Sequence, residues 1–121
     1  MPHIRASIRG VPYSQSKGRG NKSAPEKWSK EVIEQTRNLP LISEACVLRV
    51  TFRLPSNKFP KDFRYGPDLD NLLKRLLDAL GETVFSKAHG GDSCVIALEA
   101  MKVLDDEHPG VDIEILPISI D

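Results

Sequence analysis

Leu69-Asp70-Asn71-Leu72-Leu73-Lys74-Arg75-Leu76-Leu77-Asp78-Ala79-Leu80 places six leucines at i, i+3, i+4, i+7, i+8 and i+11. One apolar stripe at this period predicts an amphipathic helix laid against a core, and Gly81 is placed to stop it. Upstream, Cys46, Leu48, Val50, Phe52 and Leu54 alternate with Val47, Arg49, Thr51 and Arg53, the period of a strand with one buried face. A connection bearing Pro and Lys, residues 55–67, joins the two. Downstream, Gly90-Gly91 leads into a strand expected over Ser93–Leu104. A turn over Asp105–Gly110 follows, and then a return strand with Val111, Ile113 and Ile115 on one face. Towards the N-terminus, Ile4, Ala6 and Ile8 alternate with Arg5, Ser7 and Arg9. Ser23-Ala24-Pro25-Glu26 opens a helix that carries Trp28, Val32 and Ile33, runs to about Asn38 and is ended by Pro40. The order β-α-β-α-β-β predicts an α+β fold: one mixed sheet of about four strands with two helices packed on it, a single domain over residues 1–121.

A chain of 121 residues supports one core, and 40% hydrophobic with 28% charged residues excludes a disordered or collagen-like chain. Nothing approaches the ~20 apolar residues of a membrane span. Arg5 and Arg9 interrupt any apolar leader, so a cytoplasmic protein is expected, nucleoid-associated when it acts on DNA. Cys46 and Cys94 each sit in an apolar run and read as reduced core thiols. No Cys/His spacing suggests zinc, and His3, His89 and His108 lie far apart.

The formal charge is zero, yet it is unevenly spread. Residues 1–66 hold 13 Lys and Arg against 5 Asp and Glu, and residues 67–121 hold 4 against 12. A basic half joined to an acidic half points to a polyanionic partner for the former. Residues 12–23 have no hydrophobic period and read as a basic flexible loop within the domain. Lys17, Arg19 and Lys22 in that loop with Lys27 in the helix after it, and Lys58, Lys61 and Arg64 in the 55–67 connection, are candidate phosphate contacts. Such residues give salt-sensitive, sequence-independent affinity.

Chemistry concentrates at the start of the leucine helix. Asp68 and Asp70 bracket a core-facing leucine, and Lys74 follows Asp70 by one turn. Helix capping by Asp68 and a favourable dipole position for Asp70 account for single acids. They do not call for Asn71 and Lys74 in addition. Clustered carboxylates suit a hard divalent ion such as Mg2+, and metal-assisted phosphodiester hydrolysis needs a third acid, for which Asp92 is the candidate.

Gly66-Pro67-Asp68-Leu69-Asp70-Asn71-Leu72-Leu73-Lys74, then Leu77-Asp78-Ala79-Leu80, then Asp92-Ser93-Cys94-Val95, resembles the RusA-type Holliday junction resolvases, crossover junction endodeoxyribonucleases. Val11-Pro12-Tyr13-Ser14 and the basic loop after it are similar to that family's Pro-x-Ser segment. The resemblance covers most of the chain in the right order. It implies that Asp68, Asp70 and Asp92 bind Mg2+ (with Mn2+ able to substitute), that Lys74 is catalytic near the scissile phosphate, and that Asn71 supports the site. It also implies a homodimer acting on branched DNA, above all four-way junctions, in recombination and repair, with no membrane partner. The sequence departs from the pattern at Gly66, where a basic residue is usual, and at Gly91, which replaces the first acid of an Asp-Asp pair. Phe85 stands where Trp is common, Cys94 where Gln is, and the 86–91 segment is a few residues longer. Two alternatives follow: a DNA-binding or adaptor protein that kept the fold without cleavage, and a related nuclease acting on flaps.

Overall fold

The computed structural model describes residues 3–13, 23–57 and 67–118. In order, these form β1 (Ile4–Arg9), α1 (Ser23–Thr36), β2 (Cys46–Leu54), α2 (Leu69–Leu80), a 3-10 helix (Gly91–Cys94), β3 (Val95–Leu104) and β4 (Gly110–Pro117). The four strands make one sheet in the order β1-β4-β2-β3. Strand β4 runs antiparallel to both of its neighbours, while β2 and β3 are parallel, connected by way of α2. The mixed α+β sheet with two helices expected from the periodicities is therefore the observed architecture.

The alternation in β2 decides which face is covered. Cys46, Leu48, Val50, Phe52 and Leu54 are buried, and Ile8, Val111 and Ile115 join them from β1 and β4. Trp28 and Val32 of α1 and Leu72, Leu76, Ala79 and Leu80 of α2 close the core from above. Each fully buried side chain of this kind contributes about 1.5–3 kcal/mol relative to exposure. Leu69, Leu73 and Leu77 form the flank of the α2 stripe and are only half-buried against this core. Behind the two helices, the Thr36 hydroxyl donates to the Val32 carbonyl at 2.7 Å and meets the Thr83 hydroxyl at 2.7 Å, the buried polar link between α1 and the segment after α2.

Three boundaries differ from expectation. Helix α1 ends at Thr36 rather than near Asn38, because the Leu39 N–H bonds to Thr36 O in a tighter i→i+3 turn. Strand β4 extends to Pro117, since Leu116 and Pro117 pair with Val47 and Cys46 of β2. The segment before β3 is not yet strand: Gly90 and Gly91, at φ 80° and 61°, wind the chain into the 3-10 helix, and Ser93 Oγ donates to His89 O at 3.1 Å. The positive φ at Gly91 is a backbone that glycine adopts without steric cost. At Gly110, an added Cβ would collide with the Ile8 carbonyl oxygen, so close approach of β1 and β4 requires glycine there.

Both cysteines are free, with Cys46 buried and Cys94 half-buried. They are neighbours, since Cys46 pairs in register with Val95. Burial first, and then the adjoining Cys94, push the Cys46 thiol up to about 12, which keeps it protonated.

Candidate active site

The site begins where the chain enters α2. Asp68 is the N-cap residue, with extended backbone (φ −63°, ψ 137°), and its carbonyl accepts the Leu72 N–H at 3.0 Å. Its side chain makes no capping hydrogen bond. Asp70, in the first turn, accepts its neighbour's amide in a local contact, Asn71 N–H to Oδ1 at 3.0 Å. Asp68 and Asp70 are exposed, while Leu69 between them turns inward and packs against the core. The Asp-Leu-Asp alternation therefore does what the sequence suggested: the leucine anchors the turn, and two carboxylates stand in solvent at the positive end of a helix. Lys74 is exposed one turn further on, and Asn71 is half-buried.

Asp92 comes from a separate segment. It is half-buried in the 3-10 helix, which itself lies against α2. Among the described residues, no group of three His, Cys, Asp or Glu side chains stands close enough to hold a metal ion. The donor chemistry of Asp68 and Asp70 fits a hard cation, because both are exposed oxygen donors and the Asp68 side chain is not committed to capping. The structure brings these two together on one turn.

Two positioning side chains escaped the sequence reading. Lys102 Nζ donates to the Pro67 carbonyl at 2.9 Å and so fastens the residue before Asp68 to β3. Arg75 Nη1 reaches Pro25 O at 3.2 Å and Ser29 Oγ at 2.9 Å, tying α2 to the start of α1. A signal for Lys102 was available. It falls in alternation with Leu98, Ala100 and Leu104, a lysine on the apolar phase of its strand, and in the fold it pairs in register with the buried Phe52.

The basic side of the molecule also looks different in three dimensions. On the sheet face away from the helices, Arg5 Nε meets Glu114 at 2.8 Å, Arg49 meets Glu114 at 3.5 Å and Glu99 at 3.8 Å, and Arg53 meets Asp112 at 3.5 Å. His3 adds a contact to Glu114 at 2.9 Å. Arginines of the basic half are thus paired with acids of the acidic half on this face of the sheet. The hydrogen bonds from His3 and Arg5 hold the Glu114 carboxyl below its usual range. Lys27 is exposed near the start of α1, beside a crevice of about 500 Å3 lined also by Arg9, Tyr13, Trp28 and Glu31. Lys17, Arg19, Lys22, Lys58, Lys61 and Arg64 lie outside the described residues.

The family model described as endodeoxyribonuclease RusA matches residues 13–116. That span contains Asp68, Asp70, Asn71, Lys74 and Asp92. A search of curated proteins gave no match. No helix among the described residues is long and apolar enough to cross a membrane.

Proposed function

The chain belongs to the RusA endodeoxyribonuclease family, and on that premise we propose that it is a Mg2+-dependent endonuclease that cuts branched DNA, four-way junctions foremost, as a homodimer serving recombination and repair. The observation that carries this reading is the exposed Asp68 and Asp70 pair, with the Asp68 side chain not used as a cap, within the span the family model matches.

Asp68 and Asp70, with Asp92, are the residues that would hold the metal, and Mn2+ would serve in its place. When bound, the ion supplies a water of lowered pKa and neutralises charge on the phosphate. Lys74 offers an ammonium one helical turn from Asp70 to stabilise charge at the phosphate or on the departing oxygen. Asn71, packed partly inward, supports the turn that presents the acids. Lys27 and the basic residues of the 12–23 and 55–67 segments contact the junction arms through phosphates. A twofold-symmetric substrate is matched by a twofold enzyme. We place the whole activity in one domain over residues 1–121.

The test incubates the protein with labelled four-way junctions, flaps and linear duplex, with Mg2+ or EDTA, beside Asp70→Asn. Mg2+-dependent nicking of junctions that falls at least about 100-fold in the variant, with binding retained, is the expected result. Binding without nicking by the unaltered protein would instead support a non-catalytic junction binder. Equal cutting by Asp70→Asn would remove these acids from the site.

A further inference from the structure

Where β1 ends and α1 begins, the chain encloses the crevice of about 500 Å3. Its walls are firmly held. The Gln35 side-chain amide accepts the Arg9 N–H at 2.9 Å and donates to the Arg9 carbonyl at 2.8 Å and to Glu31 at 2.8 Å, so α1 clamps the last residue of β1. Gly10 follows at φ 138°, and an added Cβ there would lie 3.1 Å from the Trp28 ring, so bare backbone forms part of the wall. Val11, Ala24 and the buried Trp28 make the rest of it apolar, with the half-buried Tyr13 beside them. The border is cationic. Arg9 and Lys27 are exposed there, and no ion pair among the described residues engages either, whereas Arg5, Arg49 and Arg53 each meet an acid. Glu31, which also lines the crevice, is already held by Gln35.

We propose that this crevice is a nucleotide subsite, taking the base of one unpaired nucleotide of a DNA strand against its apolar wall while Arg9 and Lys27 hold the adjoining phosphate. This rests on the DNA-cutting reading above and adds a place where the strand is gripped away from the Asp68–Asp70 turn. The volume lies within the roughly 300–1,000 Å3 of small-ligand sites, which are mostly apolar with a few placed polar groups. A base offers a flat face that such a wall accepts whatever its identity. Two cations without acid partners, against one acid already bonded, suit an anion attached to that flat body. The chain leaves the crevice at Tyr13 and returns at Ala24, so the segment bearing Lys17, Arg19 and Lys22 is joined to it at both ends. Arg75 of α2 meets Pro25 and Ser29, and Lys27 and Glu31 follow these by two residues, about 200° around the helix. The crevice thus opens on the flank of α1 turned from α2, and the nucleotide it engages is remote from the one being cut.

Calorimetric titration of the full chain in EDTA, followed in parallel by tryptophan fluorescence, tests this, because Trp28 is the one tryptophan of the sequence. The probes are deoxynucleoside monophosphates, the matching deoxynucleosides, inorganic phosphate and a single-stranded oligonucleotide. The expected result is saturable binding of the monophosphates that changes Trp28 emission and is displaced by the oligonucleotide. Deoxynucleosides and inorganic phosphate are each expected to bind at least about fivefold more weakly, and Lys27→Met and Arg9→Met to weaken the monophosphates by as much. Ala24→Met fills the crevice with both cations in place and is expected to do the same with an unchanged circular dichroism spectrum. Should it lose its fold, the exposed Lys27→Met decides. Inorganic phosphate bound as tightly as the monophosphates overturns the proposal, since the base then contributes nothing. Heat of binding without a change at Trp28 puts the ligand elsewhere and overturns it too. Monophosphate binding that the oligonucleotide does not displace overturns the DNA source and makes the occupant a free nucleotide. No saturation up to about 10 mM overturns the subsite altogether. Junction nicking, measured separately, decides the nuclease reading whichever of these is found.

Discussion

Lys102 Nζ lies 2.9 Å from the Pro67 carbonyl oxygen, so a residue inside β3 holds the backbone one step before Asp68. The start of α2 is thereby fixed to the sheet by a charged donor, a stronger tie than a neutral hydrogen bond. Replacing Lys102 with Met keeps the stem and deletes the ammonium. Junction cutting by Lys102→Met is expected to fall about tenfold in kcat, with junction affinity and helix content unchanged, because small displacements of a catalytic turn are costly. Single-turnover kinetics beside a binding titration checks this. A loss confined to affinity would assign Lys102 to DNA contact instead.

Glu114 occupies Arg5 and Arg49 at once. In Glu114→Gln, the Arg5 guanidinium becomes available to phosphate, and Arg49 keeps only its longer contact to Glu99. Affinity for DNA of any sequence is then expected to rise several-fold at low salt, and the slope of log affinity against log salt to steepen by about 1 to 2, near 0.9 per phosphate neutralised. Filter binding from 50 to about 200 mM salt reads this slope.

The same carboxylate sets part of the acid stability. Its folded pKa is lowered by the bonds from His3 and Arg5, so its contribution is present above the ordinary glutamate value and is lost as pH falls through the folded one. Denaturation midpoints of Glu114→Gln should fall less steeply below that ordinary value than those of the unaltered chain. Cys46 acts at the other limb. With its thiol raised from 9.0 to about 12, the unfolded chain releases a proton first, so stability declines as pH rises from about 9 towards 12. Cys46→Ala is expected to flatten that alkaline decline while lowering stability at pH 7, where it leaves a cavity.

Thr36 has one hydroxyl hydrogen, and it is committed to Val32 O, so at the Thr36–Thr83 contact Thr83 is the donor. Thr36→Val strands a buried donor on Thr83, whereas Thr83→Val strands only an acceptor on Thr36. The first should cost about 1–3 kcal/mol and the second less, and the double variant should cost less than the sum of the two. Urea denaturation of the three proteins measures the difference.

Much of this was readable from residues alone. The six-leucine stripe gave α2 to within its ends, and the alternation from Cys46 to Leu54 gave both the strand and its buried face. Asp68 and Asp70 were placed in solvent by the inward turn of Leu69, as expected. What the chain order concealed arises from pairing between distant segments. Arg5 and Glu114 are 109 residues apart yet face each other because β1 lies beside β4. A count of charge along the sequence cannot register that cancellation. Lys102 was passed over because a strand of apolar character hides one polar residue whose partner is a backbone carbonyl 35 residues away. The strand start at Ser93 failed for a local reason, two consecutive glycines with positive φ that wind the chain before it can extend.

Strand β4 sits inside the sheet, between β1 and β2, although it is made after the other three described strands. During synthesis, β1 has no sheet neighbour and β2 lacks one of its two until residue 117 has left the ribosome, so the first half of the chain waits with its apolar faces unpaired. Completion of the sheet is thus a late, long-range event, slow by the measure that relates folding rate to the sequence distance between contacting residues. A message cut short before the codons for β4 would yield a product with a gap in the middle of its sheet, a substrate for proteases and chaperones rather than a weakened version of the same protein.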